Sequence, residues 1–403
     1  TTTTLLPLTQ LAQITKRACD ALTPMILQFY TAMNSDTSML KADKSVFTIA
    51  DGTVQHLLVE SLFSGKKFRN IVGEEECAVN LTTKPYTVDN LTIPDEFCAL
   101  VETTRDELVR LSSEIPHDPA YKELTIFIDP IDGTREFSTG LGEQCSVCVG
   151  FAGIEGHPQA GVVYRPITAP PTWAAGAKGE RYCESVLNKK EGKEGKEGKE
   201  GKEGKEGKEE EEEEGKEHSG GLSDGLSGGL LTSNGSVSSF LSVLMEELGY
   251  ERVRSGGAGN KMLLLLEERG DAYIQDRGLS RWDTCGAQAI LEAHGGMLEK
   301  LSTFVGDAGA SGNASYTYLL SENNADFIPG LSKVTPYNCR RKENAPGKSD
   351  PVVKSDDVAI YAPYSNLCGL VALAPRTNAS ATSLEMVRES CLRAKERQAP
   401  AYD

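Results

Sequence analysis

Residues 124–134 read LTIFIDPIDGT, and this stretch decides the fold prediction. An apolar run rich in β-branched residues, typical of a buried strand, ends in Asp129 and Asp132, and Gly133 and Thr134 follow. Two carboxylates this close repel each other and lose hydration when buried, so a fold that places them there usually has a cation between them. The stretch therefore predicts a strand that ends at a hard-metal site.

Two further acidic groups lie at the ends of predicted elements. Glu74 and Glu75 follow a predicted strand over 68–72, and Asp283 precedes a predicted helix over 284–294, where it is expected to cap the helix N-terminus. Each group alone is more often a cap or a solvated turn. Taken together they indicate carboxylate ligands, which Mg²⁺ prefers, and the five histidines are scattered without metal-ligand spacing.

A threonine hydroxyl beside several carboxylates fits the hydrolysis of a phosphate ester. Bound Mg²⁺ lowers the pKa of an attacking water and stabilises the leaving oxygen. Thr134 can relay the proton of that water to a carboxylate such as Asp51, and the backbone amides at Gly133 and Thr134 can hold phosphate oxygens. A glycine-rich turn over 255–261, SGGAGNK, is a second candidate for anion binding, although it does not match the P-loop pattern.

The composition argues against several classes of partner. The 403 residues carry a formal net charge of -17, which argues against a nucleic-acid polymer as the main partner. No apolar run approaches the ~20 residues of a membrane span. No basic region followed by a continuous apolar segment begins the chain, so we predict no signal peptide and a cytoplasmic location. The ten cysteines lack a compact framework, and Cys145 and Cys148 are predicted to be buried thiols.

A low-complexity tract divides the chain into two predicted halves. Residues 1–188 form an N-terminal α+β half with most of the metal ligands, and residues 221–403 form a C-terminal α/β half with a polar insertion at about 302–356. Between them, residues 189–220 contain Gly-Lys-Glu triplets and a run of glutamates. With little apolar area to bury, this insertion is predicted to be disordered.

Apolar spacing and turn residues predict the elements of both halves. Predicted helices lie at 9–33, 51–63, 94–114, 236–248, 259–268, 284–294 and 383–395. Predicted extended segments lie at 41–49, 68–72, 124–129, 230–233, 252–254, 271–275, 359–361 and 370–374, and predicted hairpins lie at 146–164 and 172–183. Residues 80–94 are polar and predicted to form a loop.

The acidic motifs resemble the signature of a known family. Glu74 in VGEEE, DPIDGT at 129–134 and WDTCGAQAIL at 282–291 occur in the order found in the lithium-sensitive, magnesium-dependent inositol monophosphatase superfamily. The resemblance implies an α/β fold layered α/β/α/β/α, with the active site between the two halves. It also implies two or three Mg²⁺ ions in each site and inhibition by Li⁺.

The resemblance further implies roles for individual residues. The family's metal ligands fall on Glu74, Asp129, the backbone carbonyl of Ile131, Asp132 and Asp283. Asp51 and Thr134 match the pair that activates the nucleophilic water. Thr232, Gly257 and Lys261 match positions that contact the nucleotide in the nucleotidase branch of the superfamily, and Gly133 is expected to bind substrate through its amide.

The substrate class rests on the C-terminal motifs. RSGGAGNKMLLLLEERGDAYI followed by RWDTC most resembles the 3'(2'),5'-bisphosphate nucleotidases, which implies removal of the 3'-phosphate from adenosine 3',5'-bisphosphate, with its sulfated form as a further candidate. After Thr232 this chain has Ser233-Asn234-Gly235-Ser236, where those nucleotidases carry a histidine. This difference keeps the inositol polyphosphate 1-phosphatases, which act on inositol 1,4-bisphosphate, as an alternative.

The implied partner is a small phosphorylated molecule, and the sequence does not indicate an oligomeric state. A non-catalytic interaction protein, organised by the Gly-Lys-Glu tract, is the alternative from another functional class.

Overall fold

The structure is a computed structural model that describes residues 6–33, 37–40, 46–188, 228–277, 279–306, 316–318, 365–366 and 368–401. The Gly-Lys-Glu tract, the predicted strand over 359–361 and most of the predicted insertion over 302–356 lie outside the described residues. The domain boundaries predicted from the sequence therefore stay predictions.

Ten α-helices occur in the described ranges: α1 (Pro7–Thr31), α2 (Ile49–His56), α3 (Asp95–Glu114), α4 (Thr134–Ser138), α5 (Ser239–Leu248), α6 (Ala258–Leu266), α7 (Arg281–Ala293), α8 (Leu301–Phe304), α9 (Pro375–Ala379) and α10 (Ala381–Arg397). A π-helical segment, Leu57–Phe63, continues α2 directly. Three short 3₁₀ turns lie at Pro119–Glu123, Gly142–Gln144 and Lys178–Glu180.

The strands, again within the described ranges, are β1 (Ser38–Leu40), β2 (Val46–Thr48), β3 (Asn70–Gly73), β4 (Val79–Asn80), β5 (Thr87–Val88), β6 (Leu91–Thr92), β7 (Thr125–Asp132), β8 (Ser146–Ala152), β9 (Pro158–Arg165), β10 (Thr172–Ala177), β11 (Tyr182–Val186), β12 (Gly229–Thr232), β13 (Glu251–Arg254), β14 (Ala272–Gln275), β15 (Leu279–Ser280), β16 (Met297–Lys300), β17 (Ser365–Asn366) and β18 (Leu370–Leu373).

Two larger sheets organise these elements. A six-stranded sheet has the order β11-β10-β9-β8-β7-β3, in which only the β3–β7 pair is parallel. A five-stranded sheet has the order β13-β12-β14-β18-β16, with parallel pairs on both sides of β12. The first sheet is built from the N-terminal part of the chain and the second from the C-terminal part.

Alternation along the strands shows how the layers stack. On β7, Ile126 and Ile128 pack in the core beneath α1 and α3, whereas Phe127 packs in a second core with α6 and α7. On β12, Leu231 faces that same second core, whereas Leu230 faces a third core with α5 and α10. Because neighbouring strand residues point to opposite faces, the layers are α/β/α/β/α, and the fold class expected from the sequence is confirmed.

Local packing corrects two predicted segments. The polar stretch 80–94 is not all loop, because it includes strands β5 and β6 of a small three-stranded sheet. The helix predicted over 51–63 begins at Ile49 and changes to π-helical spacing after His56. Such changes of helical spacing depend on tertiary packing and leave little trace in the apolar pattern.

Two further observations concern the cysteines and membranes. Cys145 and Cys148 are buried free thiols, as predicted, and the described residues contain no disulfide. None of the helices in the described part of the chain combines the length and apolar composition needed to cross a bilayer.

Candidate active site

Strand β7 carries two carboxylates at its C-terminal end, in the six-stranded sheet. Asp129 is opposite Cys148 on β8 and Asp132 is opposite Ser146, with a shift of register between the two pairs. The shift lets the strand bulge, so both aspartates reach the same end of the sheet. Gly133 then turns the chain at φ +89, a left-handed value that favours glycine, and α4 begins at the next residue.

Asp283, in the first turn of α7, joins these two residues. Asp129, Asp132 and Asp283 each offer a carboxylate oxygen, and these three oxygens lie within 4.8 Å of one another. We call these three residues the acidic cluster. Asp129 is 1% exposed, and its Oδ1 has no hydrogen-bond partner in the described part of the chain. A buried carboxylate oxygen without a partner is costly, so the cluster fits a bound cation.

The electrostatics of the acidic cluster point the same way. Burial, followed by the negative charge of Glu74, raises the pKa of Asp129 well above its usual value. The same two causes raise the pKa of Asp283 to about 7. Burial also raises the pKa of Asp132, although the positive charge of Lys261 and several hydrogen bonds oppose this. Without a cation, the cluster cannot hold its full negative charge easily at neutral pH.

Asp283 reaches the cluster from within a helix and does not cap it. The helix α7 begins at Arg281, the N-cap is Ser280, and Asp283 is the third helical residue of a capping box. Its Oδ2 accepts a hydrogen bond of 2.7 Å from the amide of Ser280. The prediction that Asp283 itself is the N-cap is therefore wrong. The capping box orients its carboxylate from the first turn of the helix.

Glu74 lies beside the cluster but outside the compact group of three. It directly follows β3, and its amide donates a hydrogen bond of 3.0 Å to the carbonyl of Ile128. Its charge raises the pKa values of Asp129 and Asp283, so Glu74 lies near both residues. The neighbouring Glu75 is 8% exposed, and its backbone is bound by the side chain of Gln55.

Asp51 and Thr134 meet at the edge of the cluster, as the resemblance implies. The hydroxyl of Thr134 lies 3.0 Å from Asp51 Oδ1 and 3.0 Å from the carbonyl oxygen of Ile131. The other carboxylate oxygen of Asp51 accepts hydrogen bonds from the Thr48 amide at 2.8 Å and the Thr48 hydroxyl at 2.5 Å. Asp51 is therefore fixed as a buried acceptor that points one oxygen at Thr134.

The N-terminus of α6 binds Asp132. The amides of Ala258 and Gly259 donate to the two oxygens of Asp132, each at 2.8 Å, and Ser146 Oγ donates at 2.9 Å. The glycine-rich turn predicted as an anion site does bind an anion, but that anion is a side chain of the protein. These two amides hold Asp132 toward the cluster.

Two glycines let the loops from both sheets approach closely. A Cβ on Gly257 would lie 2.7 Å from Asp132 Oδ2, and its φ is +62. A Cβ on Gly133 would lie 3.5 Å from the Gly257 amide nitrogen. Both positions predicted to contact substrate are therefore part of the junction between the two sheets.

Lys261 is buried one turn into α6. Its ammonium group donates to the carbonyl of Gly257 at 2.7 Å and to that of Ser255 at 3.4 Å, and it lies 4.9 Å from the centre of the Tyr273 ring. Burial lowers the pKa of Lys261, while the charge of Asp132 opposes that shift. The ammonium group of Lys261 therefore already has partners within the protein, and a bound ligand would have to share this group with them.

The loop after β12 is tied to the first sheet. Asn234 Nδ2 donates to Glu136 Oε1 at 2.9 Å and to Gln144 Oε1 at 2.8 Å. Thr232, at the end of β12, accepts a hydrogen bond of 2.8 Å from Arg252 Nε. In the nucleotidases that this chain resembles, the corresponding loop is expected to contain a histidine. Here Asn234 links the loop to α4 and to the turn before β8.

A cleft of about 220 Å³ opens beside the acidic cluster. Its lining includes the predicted residues Asp132, Gly133, Thr232, Gly257, Lys261 and Asp283, together with Ser233, Ser236, Ser238 and Asp276. Asp276 is 1% exposed, and its Oδ2 accepts a hydrogen bond of 3.0 Å from the amide of Ala401, near the chain's carboxyl end. The cleft is large enough for a phosphate and part of its ester group.

Sequence reasoning missed several residues that shape the site. Thr48 left a signal, because Thr48 and Asp51 have the spacing of a capping box. Ser146, Gln55 and Asn234 left none, since each acts on a partner that is distant in the chain.

Comparisons with known proteins agree on the family and the fold of this chain. The model of the inositol monophosphatase family matches residues 8–304. The chain is 28% identical to 3'(2'),5'-bisphosphate nucleotidase 1 of Dictyostelium discoideum, over 64% of this chain and 75% of that protein. It is 24% identical to the Golgi-resident adenosine 3',5'-bisphosphate 3'-phosphatase of Rattus norvegicus, over 61% of this chain and 59% of that protein. A crystal structure of staphylococcal inositol monophosphatase-1 has the same fold, with 11% identity, a TM-score of 0.50 and coverage of 95% of this chain and 96% of that one.

Proposed function

The chain belongs to the inositol monophosphatase family, and from that premise we propose that it is a Mg²⁺-dependent phosphomonoesterase that removes the 3'-phosphate of adenosine 3',5'-bisphosphate. The observation that carries the proposal is the acidic cluster beside the Asp51–Thr134 pair. The named activities of the two relatives support the choice of substrate. The sulfated form of the nucleotide is a second candidate substrate of the same site.

Each carboxylate of the site has a place in the proposed metal binding. Asp129, Asp132 and Asp283 would hold Mg²⁺ directly, with Glu74 beside them and the carbonyl of Ile131 as a further oxygen ligand. Two or three bound Mg²⁺ ions would supply an activated water and neutralise the charge of the leaving oxygen. The unpartnered Oδ1 of Asp129 supports this assignment, because an acceptor in that position needs a cation or a donor.

The protein's own part in the proton transfer falls to Thr134 and Asp51. With its hydroxyl 3.0 Å from Asp51 Oδ1, Thr134 can take a proton from water while it passes its own to that carboxylate. The two hydrogen bonds from Thr48 hold the second oxygen of Asp51, so Oδ1 stays directed at Thr134. The pair thus acts as a fixed proton acceptor at the edge of the cluster.

The cleft would hold the remainder of the substrate. Gly133, which lines the cleft, would contact the phosphate through its amide, and Thr232 and Lys261 line the cleft on the side of the second sheet. Lys261 carries the positive charge that a phosphorylated substrate requires there. Inhibition by Li⁺ and location in the cytoplasm stay predictions.

One observation favours a second candidate function. Asn234 occupies the loop in which the nucleotidases carry a histidine, and it is bonded to Glu136 and Gln144 instead. An enzyme that lacks that histidine can prefer inositol 1,4-bisphosphate, so inositol polyphosphate 1-phosphatase activity is the alternative.

A substrate panel separates these functions. Purified protein is assayed for phosphate release from adenosine 3',5'-bisphosphate and from inositol 1,4-bisphosphate, with Mg²⁺ and with a chelator. We expect Mg²⁺-dependent release that is faster from the nucleotide, and the Asp132→Asn variant controls for contaminating phosphatases. Faster release from the inositol compound would favour the alternative, and no release from either would overturn both.

A further inference from the structure

The side chain of Gln55 forms a two-point clamp on the segment that carries Glu74. Gln55 Nε2 donates to the carbonyl of Glu75 at 2.6 Å, and the amide of Glu75 donates to Gln55 Oε1 at 2.8 Å. Both hydrogen-bonding groups of one backbone residue are thus taken by one side chain, as a neighbouring strand would take them. The clamp begins one residue after Glu74, beyond the end of β3.

The clamp and strand β7 hold the segment from two sides. The amide of Glu74 donates to Ile128 of β7 at 3.0 Å, and the next residue is bound by Gln55. Gly73 makes room for this arrangement, since a Cβ there would lie 2.2 Å from the Gln55 amide carbon. The backbone on both sides of the Glu74 Cα is therefore fixed by specific hydrogen bonds.

The helix that supplies the clamp also supplies the proposed proton acceptor. Asp51 and Gln55 are four residues apart on α2, so their side chains lie on the same face of one helix. The N-terminus of that helix is fixed by the Thr48 capping box and by the contact with Thr134. Gln55 thus joins the helix of Asp51 to the backbone of Glu74.

We infer that Gln55 is a positioning residue that fixes the carboxylate of Glu74 relative to Asp51 and so raises the affinity of the site for divalent metal ions. The inference rests on the proposed function, because it takes Glu74 as a metal ligand. Gln55 belongs neither to the acidic cluster nor to the lining of the cleft, and it acts through the backbone of Glu75. Residues that orient a ligand in this way commonly change metal affinity by about 10- to 100-fold.

The test compares Gln55→Met with wild-type protein. Methionine keeps the length and approximate volume of glutamine but makes neither hydrogen bond. Mn²⁺ binding is measured without substrate, by electron paramagnetic resonance of the free ion and by calorimetry, and Mg²⁺ dependence is measured through phosphate release. We expect Mn²⁺ affinity to fall by about 10-fold or more, and the Mg²⁺ concentration for half-maximal release to rise by a similar factor.

A second variant and a matched control sharpen the comparison. Gln55→Leu, an uncharged side chain of another shape, also makes neither hydrogen bond, so it should lower Mn²⁺ affinity even if Gln55→Met does not fold. Gln10→Met is the control, because Gln10 is a half-buried helical glutamine whose hydrogen bond of 3.4 Å goes to Glu114, in a different part of the fold. We expect this control to bind Mn²⁺ like the wild type.

The outcomes are distinguishable. Mn²⁺ affinity within twofold of wild type in a folded Gln55 variant would overturn the inference. A fall in Mn²⁺ affinity without phosphate release by any form of the protein would overturn the proposed function and leave the role of Gln55 supported. If wild-type protein bound no Mn²⁺, both would be overturned.

Discussion

The two sides of the cleft differ in how far their polar groups are satisfied by the protein itself. On the side of the first sheet, the acidic cluster gathers buried like charges, and Asp129 Oδ1 has no partner among the described residues. On the side of the second sheet, Lys261 and Asn234 both have short hydrogen bonds within the protein. We call this second group, with Thr232 and Gly257, the cleft wall, and Asn234 belongs to it through its neighbour Ser233, which lines the cleft.

The difference indicates which side determines the reaction and which the substrate. A cluster of buried like charges strongly favours a divalent cation as its ligand. Such a cation relieves the repulsion and also takes the place of the missing hydrogen bond. Groups that already have partners must exchange them for substrate, and such an exchange contributes little net free energy. We therefore expect changes in the acidic cluster to affect turnover and changes in the cleft wall to affect KM.

The largest effect is expected for Asp132→Asn. The substitution removes one charge directed at the metal position, so turnover should fall by several orders of magnitude while the protein stays folded. Steady-state phosphate release measures the first quantity and circular dichroism the second. Turnover within about tenfold of wild type would contradict the assignment of the acidic cluster to metal binding.

A smaller loss is expected for Thr134→Val. Valine has nearly the same shape but no hydroxyl to pass a proton to Asp51, so kcat should fall by roughly 10²- to 10⁴-fold with little change in Mn²⁺ affinity. Thr134→Ser is the matched control, because it keeps the hydroxyl and should retain most of the activity. Equal losses in both variants would indicate a packing role for this residue.

On the cleft wall, Asn234→Ala should mainly change KM. The substitution removes the hydrogen bonds to Glu136 and Gln144, so the loop after β12 loses its tie to the first sheet. Losing about 1 kcal/mol of loop ordering corresponds to roughly a fivefold rise in KM, and kcat should change less. Asn378→Ala is the control, because the side chain of Asn378 donates to the exposed carbonyl of Gly295, and neither residue lines the cleft. A loss of kcat at unchanged KM would contradict the division between the two sides.

The acidic cluster should also make the metal-free protein less stable at higher pH. Because the pKa of Asp283 in the folded protein, about 7, lies above its usual value of 3.8, the folded state binds more protons than the unfolded state between these values. Stability from this group is therefore present at low pH and is lost as pH rises toward 7, by about 1.4 kcal/mol for each unit of pKa difference.

Thermal unfolding with a chelator between pH 5 and pH 7.5 measures this loss. We expect Tm to fall by a few degrees for this group, and Mg²⁺ at pH 7.5 to restore it. Burial lowers the pKa values of His56 and His294. These two groups therefore make the folded protein more stable as pH rises toward about 6.5, which is opposite to the effect of Asp283. The comparison is therefore made with Asp283→Asn, and an equal pH slope in that variant would contradict the prediction.

The smallest effect is expected for deletion of residues 189–217. The described chain on the two sides of this tract ends at Asn188 and resumes at Gly228, and neither residue lines the cleft. Turnover and KM should stay within about twofold of wild type if the tract is a linker. Loss of a binding partner on deletion, with turnover unchanged, would support the interaction function as an additional one.

The sequence predicted those parts of the site that are local in the chain. The strand with Asp129 and Asp132 and the turn at Gly133 could be recognised, because burial, charge and turn chemistry all lie within eleven residues. The pairing of Asp51 with Thr134 was predicted from the chemistry of the reaction and from the resemblance, because no local pattern links residues that are 83 positions apart.

The parts that could not be predicted depend on contacts between distant elements. The amides of Ala258 and Gly259 bind Asp132 from 126 and 127 positions away, which no local pattern indicates. The sequence pattern predicts Asp283 as the N-cap of α7, whereas the structure has Ser280 in that position. Both residue types cap helices, and their spacing fits either choice. In these cases tertiary packing selects one of several locally acceptable arrangements.

The hydrogen bond from Ala401 to Asp276 has a practical consequence for work with this protein. A shortened version of the protein that stops before Ala401 would take this donor away from the buried carboxylate of Asp276, which lines the cleft. Kinetic constants measured on such a version would then include the effect of the truncation on the position of Asp276. Kinetic work on the cleft therefore requires a chain that retains Ala401.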